Sequence, residues 1–235
     1  MNAPKISVVI PSYNKVKFIN KTLKSIFDQN YPNLEVVVQD GGSTDGTLEI
    51  IKKYPVILES KKDNGQLDAL NKGFKKATGD ILTFINADDC YAAGAFSNIS
   101  HAYNKNPYAL WFAGQGIVIN KSDIEIAKPV TWYKNILLSL NSNRYLLITN
   151  YLIQPSIFFT NEAYQKYGPF TGTLDFVMEY EMWLKLAKIS MPVVIHHVIS
   201  KFRIENNTKT KRMFNKLLHE DKLIVKKFTR LFDIF

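Results

Sequence analysis

ISVVIPSYNKVKFINKTLKSIFDQNYPNLEVVVQDGGSTDGTLEI, residues 6–50, runs through one pattern twice. A short β-branched run, Ile6–Ile10, is ended by Pro11-Ser12-Tyr13-Asn14, and Phe18, Thr22, Leu23, Ile26 and Phe27 then recur at helical spacing. The second run, Leu34–Val38, ends in Gln39-Asp40-Gly41-Gly42-Ser43-Thr44-Asp45-Gly46. After it Leu48, Ile50, Ile51 and Tyr54 open a helix with Ser43, Thr44 or Asp45 as its cap. Strand, loop and helix in that repeating order predict parallel strands joined by right-handed crossovers.

Working outward, Val56–Leu58 reads as a third strand, and Leu67, Leu70, Phe74 and Ala77 mark a third helix that ends at Gly79. Ile81–Ile85 is a fourth strand that runs into Asn86-Ala87-Asp88-Asp89. Beyond residue 110 the pattern loosens. Leu110–Phe112, Gly116–Ile119, Ser156–Phe159 and Val193–Ile199 read as strands, 132–148 as a helix or loop insertion, and Glu181–Ala187 as a helix. The predicted class is α/β, with a mostly parallel central sheet flanked by helices.

Composition agrees with a folded enzyme-sized chain. Of 235 residues 46% are hydrophobic and 22% charged, enough to bury a core and unlike a disordered, collagenous or disulfide-stapled chain. The single cysteine, Cys90, has no intramolecular partner and fits a reducing, cytoplasmic compartment. The N-terminus lacks the long apolar core of a secretory signal, and no stretch reaches the roughly 18 apolar residues of a spanning helix. Net charge is +9, and residues 209–235 carry +5 of it. Phe214, Leu217, Leu218, Ile224, Val225, Phe228, Leu231, Phe232 and Phe235 fall on one stripe of that segment. It reads either as a basic amphipathic helix lying on an anionic membrane surface or as a helix packed on the core. A nucleic-acid partner is not expected, because no helix-turn-helix, zinc or aromatic RNA-binding pattern accompanies the charge. The organisation expected is one domain, 1–208, with a C-terminal helical extension, 209–235.

In an open parallel sheet ligands bind outside the carboxyl ends of the strands. Three strands end here in polar loops. Tyr13 offers a ring to stack on a base, Asp40 an acceptor for a base N–H, and Asp88 beside Asn86 a hard oxygen ligand for Mg²⁺ or Mn²⁺ that in turn holds a diphosphate. Asp40 before two glycines also suits a turn, and Asp88-Asp89 a helix cap. Neither GxxxxGK[ST] nor GxGxxG occurs, which leaves a nucleoside diphosphate held through a metal.

VVIPSYN (8–14), VVVQDGGSTDGT (36–47), DNGQLDALNKGFKKATGD (63–80), LTFINADD (82–89) and MEYEMWLKLA (178–187) together resemble the family 2 glycosyltransferases of GT-A fold, across roughly residues 5–205. Within that family the chain looks most like bacterial enzymes that build surface polysaccharides. The resemblance implies a nucleoside site at Pro11, Tyr13 and Asp40, and a further donor position at Asp68, which otherwise is an exposed helix residue. It makes Asp88 the metal carboxylate in a loop that normally reads Asp-x-Asp-Asp and here reads Asn86-Ala87-Asp88-Asp89. It implies a general base at Glu179, with Glu181 and Asp175 as fallbacks, and an acceptor side at Gln154–Ser156 and Trp183. Arg203 is either a phosphate contact or a surface ion pair. His196 and His197 sit in an apolar strand with one ring facing the core, and neither is given a catalytic role.

Inverting transfer needs one base for the acceptor hydroxyl, whereas glycoside hydrolysis needs two carboxyls. The function implied is transfer of a hexose or N-acetylhexosamine from a nucleotide sugar, a UDP-sugar by preference, to a hydroxyl of a glycan or lipid-linked acceptor. Rival readings are a sugar nucleotidyltransferase, whose Gly-rich basic N-terminal signature is absent, and a non-catalytic nucleotide- or glycan-binding module.

Overall fold

The computed structural model describes residues 3–171, 178–204 and 214–229, the last segment with side chains from His219 onward. A nine-stranded sheet runs through it. Its first half is the expected one: β1 (Ile6–Ser12), β2 (Leu34–Asp40), β3 (Ile57–Ser60) and β4 (Ile81–Phe84) are mutually parallel, in the order β3-β2-β1-β4. The connections are α1 (Ile19–Phe27), α2 (Thr47–Ile51) and α3 (Gln66–Phe74). Burial on both faces explains the near-continuous apolar runs of β1, β2 and β4, whereas β3, at the sheet edge, is exposed or half-buried throughout. Ile6, Val8 and Ile10 pack with Ile19, Leu23 and Ile26 of α1 on one face, and Val9 packs with Leu70 and Phe74 of α3 on the other. Each of those fully buried side chains is worth roughly 1.5–3 kcal/mol relative to an exposed one. Gly73 lets α3 sit this close, since a Cβ there would fall 2.4 Å from a Val9 methyl.

The second half is mixed. β8 (Ile157–Thr160) runs antiparallel to both β4 and β6 (Trp111–Ile119), and β9 (Val193–Arg203) runs parallel to β6. The short β5 (Cys90–Tyr91) caps β9, and β7 (Glu125–Ile126) pairs with β6. Several expected boundaries shift. The two strands expected at 110–112 and 116–119 are one strand, β6, because Gly114 and Gly116 do not interrupt it but admit Ile199 and Ile153, which any Cβ would strike. The helix-or-loop expected at 132–148 is two helices, α5 (Lys128–Leu140) and α6 (Asn143–Ile148). The helix that Asp88-Asp89 could have capped, α4 (Ala95–Lys105), starts later, after Gly94.

The helix expected from Glu181 begins at Met178 and is labelled α8 (Met178–Ala187), after α7 (Asn161–Tyr167). His196 and His197 are both exposed, contrary to the expectation that one faces the core. The pairing of β6 with β9 jumps from Gly114↔Ile195 to Gln115↔Val198, so the two histidines bulge out of the ladder.

The final helix, α9 (Phe214–Thr229), turns Ile224, Val225 and Phe228 inward and leaves Leu223 exposed. Ile224 and Phe228 are buried in the same cluster as Trp111 and Trp183, Lys188 lies 4.8 Å from the centre of the Phe228 ring, and Lys227 bonds Glu181 at 2.6 Å. Of the two uses of the 209–235 stripe, its described part serves core packing. Residues 209–213 and 230–235 lie outside the described segments.

Candidate active site

The strand order β2-β1-β4 brings the loops after these strands to one edge of the sheet. The first two are bolted together. The Asn14 N–H donates to the Ser43 hydroxyl at 2.8 Å, the Thr44 N–H donates to the Asn14 side chain at 2.9 Å, and the Lys15 N–H donates to Thr47 at 2.8 Å. Asn14 accepts a φ of 51° to make that join. Tyr13, held between these contacts, is 61% exposed and presents a free ring.

Asp40 is placed differently from a free base acceptor. It is buried, and its carboxylate accepts from the Gly42 and Ser43 N–H groups at 2.9 and 2.8 Å and from the Ser43 and Ser60 hydroxyls at 2.5 and 2.8 Å. It shapes the second loop, the turn reading that its neighbouring glycines suggested. Pro11 lies opposite Gln39 in the β1–β2 ladder, half-buried at the foot of the same loops. Asp68 is in the first turn of α3 and binds Lys72 at 2.8 Å and the Asn64 N–H at 3.0 Å. The Lys72 hydrogen bond, with that of Asn64, holds its carboxyl below the usual carboxylate range.

The fourth loop carries the candidate metal carboxylate. Asp88 forms a short ion pair with Lys15, whose ammonium reaches across from the first loop. Ala87 is buried beneath it. Asp89 is buried too, and burial first, then the charge of Asp88, pushes its carboxyl well up. Arg203 at the end of β9 anchors this loop. Its N–H donates to Asp89 at 2.7 Å, Nε to the Asp88 carbonyl at 2.7 Å and Nη1 to the Asn120 carbonyl at 2.7 Å, while Asp123 pairs with Nη1 at 2.6 Å. The guanidinium side chain is fully buried and stacks 5.0 Å from the Phe18 ring centre. Arg203 is therefore spent within the protein rather than on a phosphate, and its ion pair joins a fully buried guanidinium to the exposed Asp123. It is the clamp that positions Asp88.

Among the described residues no three His, Cys, Asp or Glu side chains converge as a metal cage. One carboxylate suits Mg²⁺ or Mn²⁺ all the same, because such ions are commonly held by one or two carboxylates together with substrate phosphates. Asp88 fits that part, with the Lys15 ammonium marking where positive charge is wanted.

Asn86 joins the donor loops to the segment before β8. Its carbonyl oxygen accepts from Gln66 at 2.7 Å, and its amide faces Gln154 at 3.5 Å, itself fixed by a 2.8 Å bond to the Phe84 carbonyl. Sequence reasoning named Asn86 and Gln154 but not Gln66, whose side chain is aimed by the first turn of α3. Ser156 is buried and spent on the Gln115 carbonyl and the Ser200 hydroxyl.

Glu179, in the first turn of α8, is half-buried. Burial, reinforced by the negative charge of Asp221 on α9 and opposed by Lys134 on α5, raises its carboxyl to about 7. Lys134 in turn donates to the Asn150 carbonyl at 2.6 Å, and burial lowers its ammonium to about 8 against the pull of Asp221 and Glu179. A cavity of about 590 Å³ adjoins this cluster, lined by Asn150, Tyr180, Asp221 and Lys226. The fallback Glu181 is buried and paired with Lys227 and Lys185. The other fallback, Asp175, lies outside the described residues. Trp183 is a correction: it is 1% exposed and stacked 6.0 Å from Trp111, so it fills the core and presents nothing to an acceptor. Lys15, Lys134 and Asp221 were missed because their partners are distant in the chain.

The comparisons with known proteins enter at this point. Residues 7–168 match the family model described as glycosyl transferase family 2. An uncharacterized glycosyltransferase of Rickettsia typhi is 28% identical over 97% of this chain and 74% of its own. A Campylobacter jejuni protein named GalNAc(5)-diNAcBac-PP-undecaprenol beta-1,3-glucosyltransferase is 29% identical over 43% of this chain and 35% of its own. Among solved structures, Staphylococcus aureus TarS 1-349 in complex with UDP-GlcNAc superposes with a TM-score of 0.67 at 18% identity, over 96% of this chain and 71% of that one. The Pyrobaculum calidifontis mannosyltransferase PcManGT with GDP-Man and Mn²⁺ gives 0.67 at 22%, over 88% and 59%. The fold is GT-A, and with a family model spanning more than half its length the chain belongs to glycosyl transferase family 2.

Proposed function

We propose that this glycosyltransferase is an inverting enzyme that moves a hexose or N-acetylhexosamine from a nucleotide sugar, a UDP-sugar first, to a hydroxyl of a glycan or lipid-linked acceptor in bacterial polysaccharide synthesis. The observation that carries it is the state of the carboxyls. Asp40 is committed to its own loop, Asp89 to the Arg203 N–H and Glu181 to two lysines, whereas Glu179, beside Lys134 and Asp221, is raised to about 7 and is the carboxyl assigned to accept a proton. One such base is what direct displacement requires.

In this reading Tyr13 stacks on the base, and the Asn86–Gln66–Gln154 amides orient the sugar between donor loop and acceptor. Glu179 takes the proton of the acceptor hydroxyl as its oxygen attacks the anomeric carbon. The bond from that carbon to the diphosphate oxygen breaks with its electron pair on the departing nucleoside diphosphate. Lys15 supplies positive charge beside Asp88 to the leaving group. A divalent ion on Asp88 supplies further charge neutralisation for the diphosphate when bound. The reaction belongs to a reducing, cytoplasmic compartment, which the lone buried cysteine suits. No helix among the described residues is long and apolar enough to cross a membrane.

The undecaprenol-linked substrate in the name of the Campylobacter protein and the UDP-GlcNAc bound to TarS support the acceptor and donor classes. A thermal-shift panel of UDP, GDP, CDP and dTDP with and without Mn²⁺ tests the donor side. A selective UDP shift enlarged by Mn²⁺ is expected, and no shift with any nucleotide refutes the donor site. The anomeric configuration of the product then tests inversion.

A further inference from the structure

The outward face of α5 is apolar where a surface helix is ordinarily charged. Trp132, Tyr133, Ile136 and Leu140 fall on one side of this helix and all are exposed, Trp132 by 69%. The opposite side is the packed one: Thr131, Leu137 and Leu138 are buried, and Asn135 bonds the backbone of Gly116 in β6. The hairpin's own exposed charges are all positive. Between Lys128 and Ile148 the sequence holds Lys128, Lys134 and Arg144 and no acidic residue, and Lys128 and Arg144 are exposed beside the apolar stripe.

We infer that the α5–α6 hairpin is a docking face for an anionic lipid bilayer. A tryptophan and a tyrosine beside long aliphatic side chains, rimmed by cations, is the composition that settles at the headgroup level of a membrane, with the apolar face sunk about 5–10 Å. A second copy of this chain fits less well. A two-fold contact would set the same cationic rim against itself with no carboxylate in the patch to answer it. The placement also joins surface to chemistry. Lys134, on the inward side of α5, interacts electrostatically with Glu179, so the lipid face and the base cluster lie on opposite sides of one helix, whose diameter is about 10–12 Å. The surface itself does not depend on the transfer reading, because vesicles carry neither sugar nor nucleotide.

The test uses the full chain with vesicles of phosphatidylcholine alone and of phosphatidylcholine with 30% phosphatidylglycerol. Trp132 is the reporter, since Trp111 and Trp183 are both buried. Brominated phosphatidylglycerol is expected to quench its fluorescence, and co-sedimentation is expected only with the anionic vesicles. Ile136→Asn combined with Leu140→Asn, both at exposed positions, is expected to weaken vesicle binding at least tenfold with an unchanged melting temperature. Unquenched Trp132, or binding that survives the double substitution, overturns the inference and returns any membrane contact to residues 209–235. Equal binding to both vesicle types overturns the charge argument. A dimer in sedimentation equilibrium that the double substitution dissociates assigns the face to a second copy instead.

Discussion

Replacing Glu179 by Gln keeps the shape of the side chain and removes its proton equilibrium, so one substitution reports on both stability and chemistry. The native carboxyl is raised from 4.5 to about 7, first by burial and then by Asp221. Folding therefore favours its protonated form. The stability this group contributes is fully present below pH 4.5 and is lost as pH rises to about 7, beyond which the buried charge is a constant penalty. At about 1.36 kcal/mol for each pH unit of that interval, the penalty is about 3 kcal/mol at pH 8. A chain of this size moves roughly 2–4 °C in Tm for each kcal/mol. Glu179→Gln is thus expected to melt roughly 6–12 °C above the parent at pH 8 and level with it at pH 4.5, while sugar transfer falls by roughly 10²–10⁴. Differential scanning fluorimetry across pH 4–9 measures the first effect and a single-turnover assay with a UDP-sugar the second. A melting difference that is flat with pH refutes the buried-carboxyl argument. Transfer at the parental rate refutes the base assignment.

Lys134→Met and Asp221→Asn bear on the same carboxyl with opposite signs: the first is expected to move the acidic limb of the pH–rate profile upward and the second downward, and a common direction refutes the electrostatic coupling. Lys15→Met leaves Asp88 without its cation, so its melting temperature is expected to fall and to be restored by Mn²⁺ more strongly than that of the parent; equal Mn²⁺ responses refute a shared cation position. Arg203→Lys keeps the charge but cannot reproduce the planar fork that holds the 88–90 loop and Asn120, and it is expected to lose about 1.5–3 kcal/mol of stability together with nucleotide affinity, measured by denaturant melts and titration calorimetry.

The first ninety residues were legible because both signals there are local. Ile6–Ile10 and Leu34–Val38 are β-branched runs, each ended by turn residues, and the loops that follow carry Tyr13 and Asp40. The later half is decided by contacts across the chain. Gly114 and Gly116 read as interruptions of a strand, yet they are small because β9 and Ile153 press against them. Nothing within a few residues of Arg203 tells that its partners are Asp88, Asn120 and Asp123. Trp183 sits in a motif that resembles a catalytic block, and its ring answers to Trp111, seventy-two positions earlier, rather than to a ligand. Asp40 shows the same ambiguity at short range: the glycines after it announce a turn, and the turn consumes the carboxylate.

The Arg203 clamp makes the assembly of the site a late event in the life of the chain. The loop holding Asp88 is translated long before the arginine that fixes it, 115 residues downstream. Closing so long a span carries an entropic penalty that is recovered only when β9 has docked. A nascent chain that has completed β1 to β4 can already bury its half of the sheet and lock Asn14 to Ser43. It can already pair Lys15 with Asp88, but the backbone of that loop lacks its Arg203 bonds until the last strand arrives. Full ordering of the loop that carries Asp88 thereby becomes a readout that synthesis has passed residue 203.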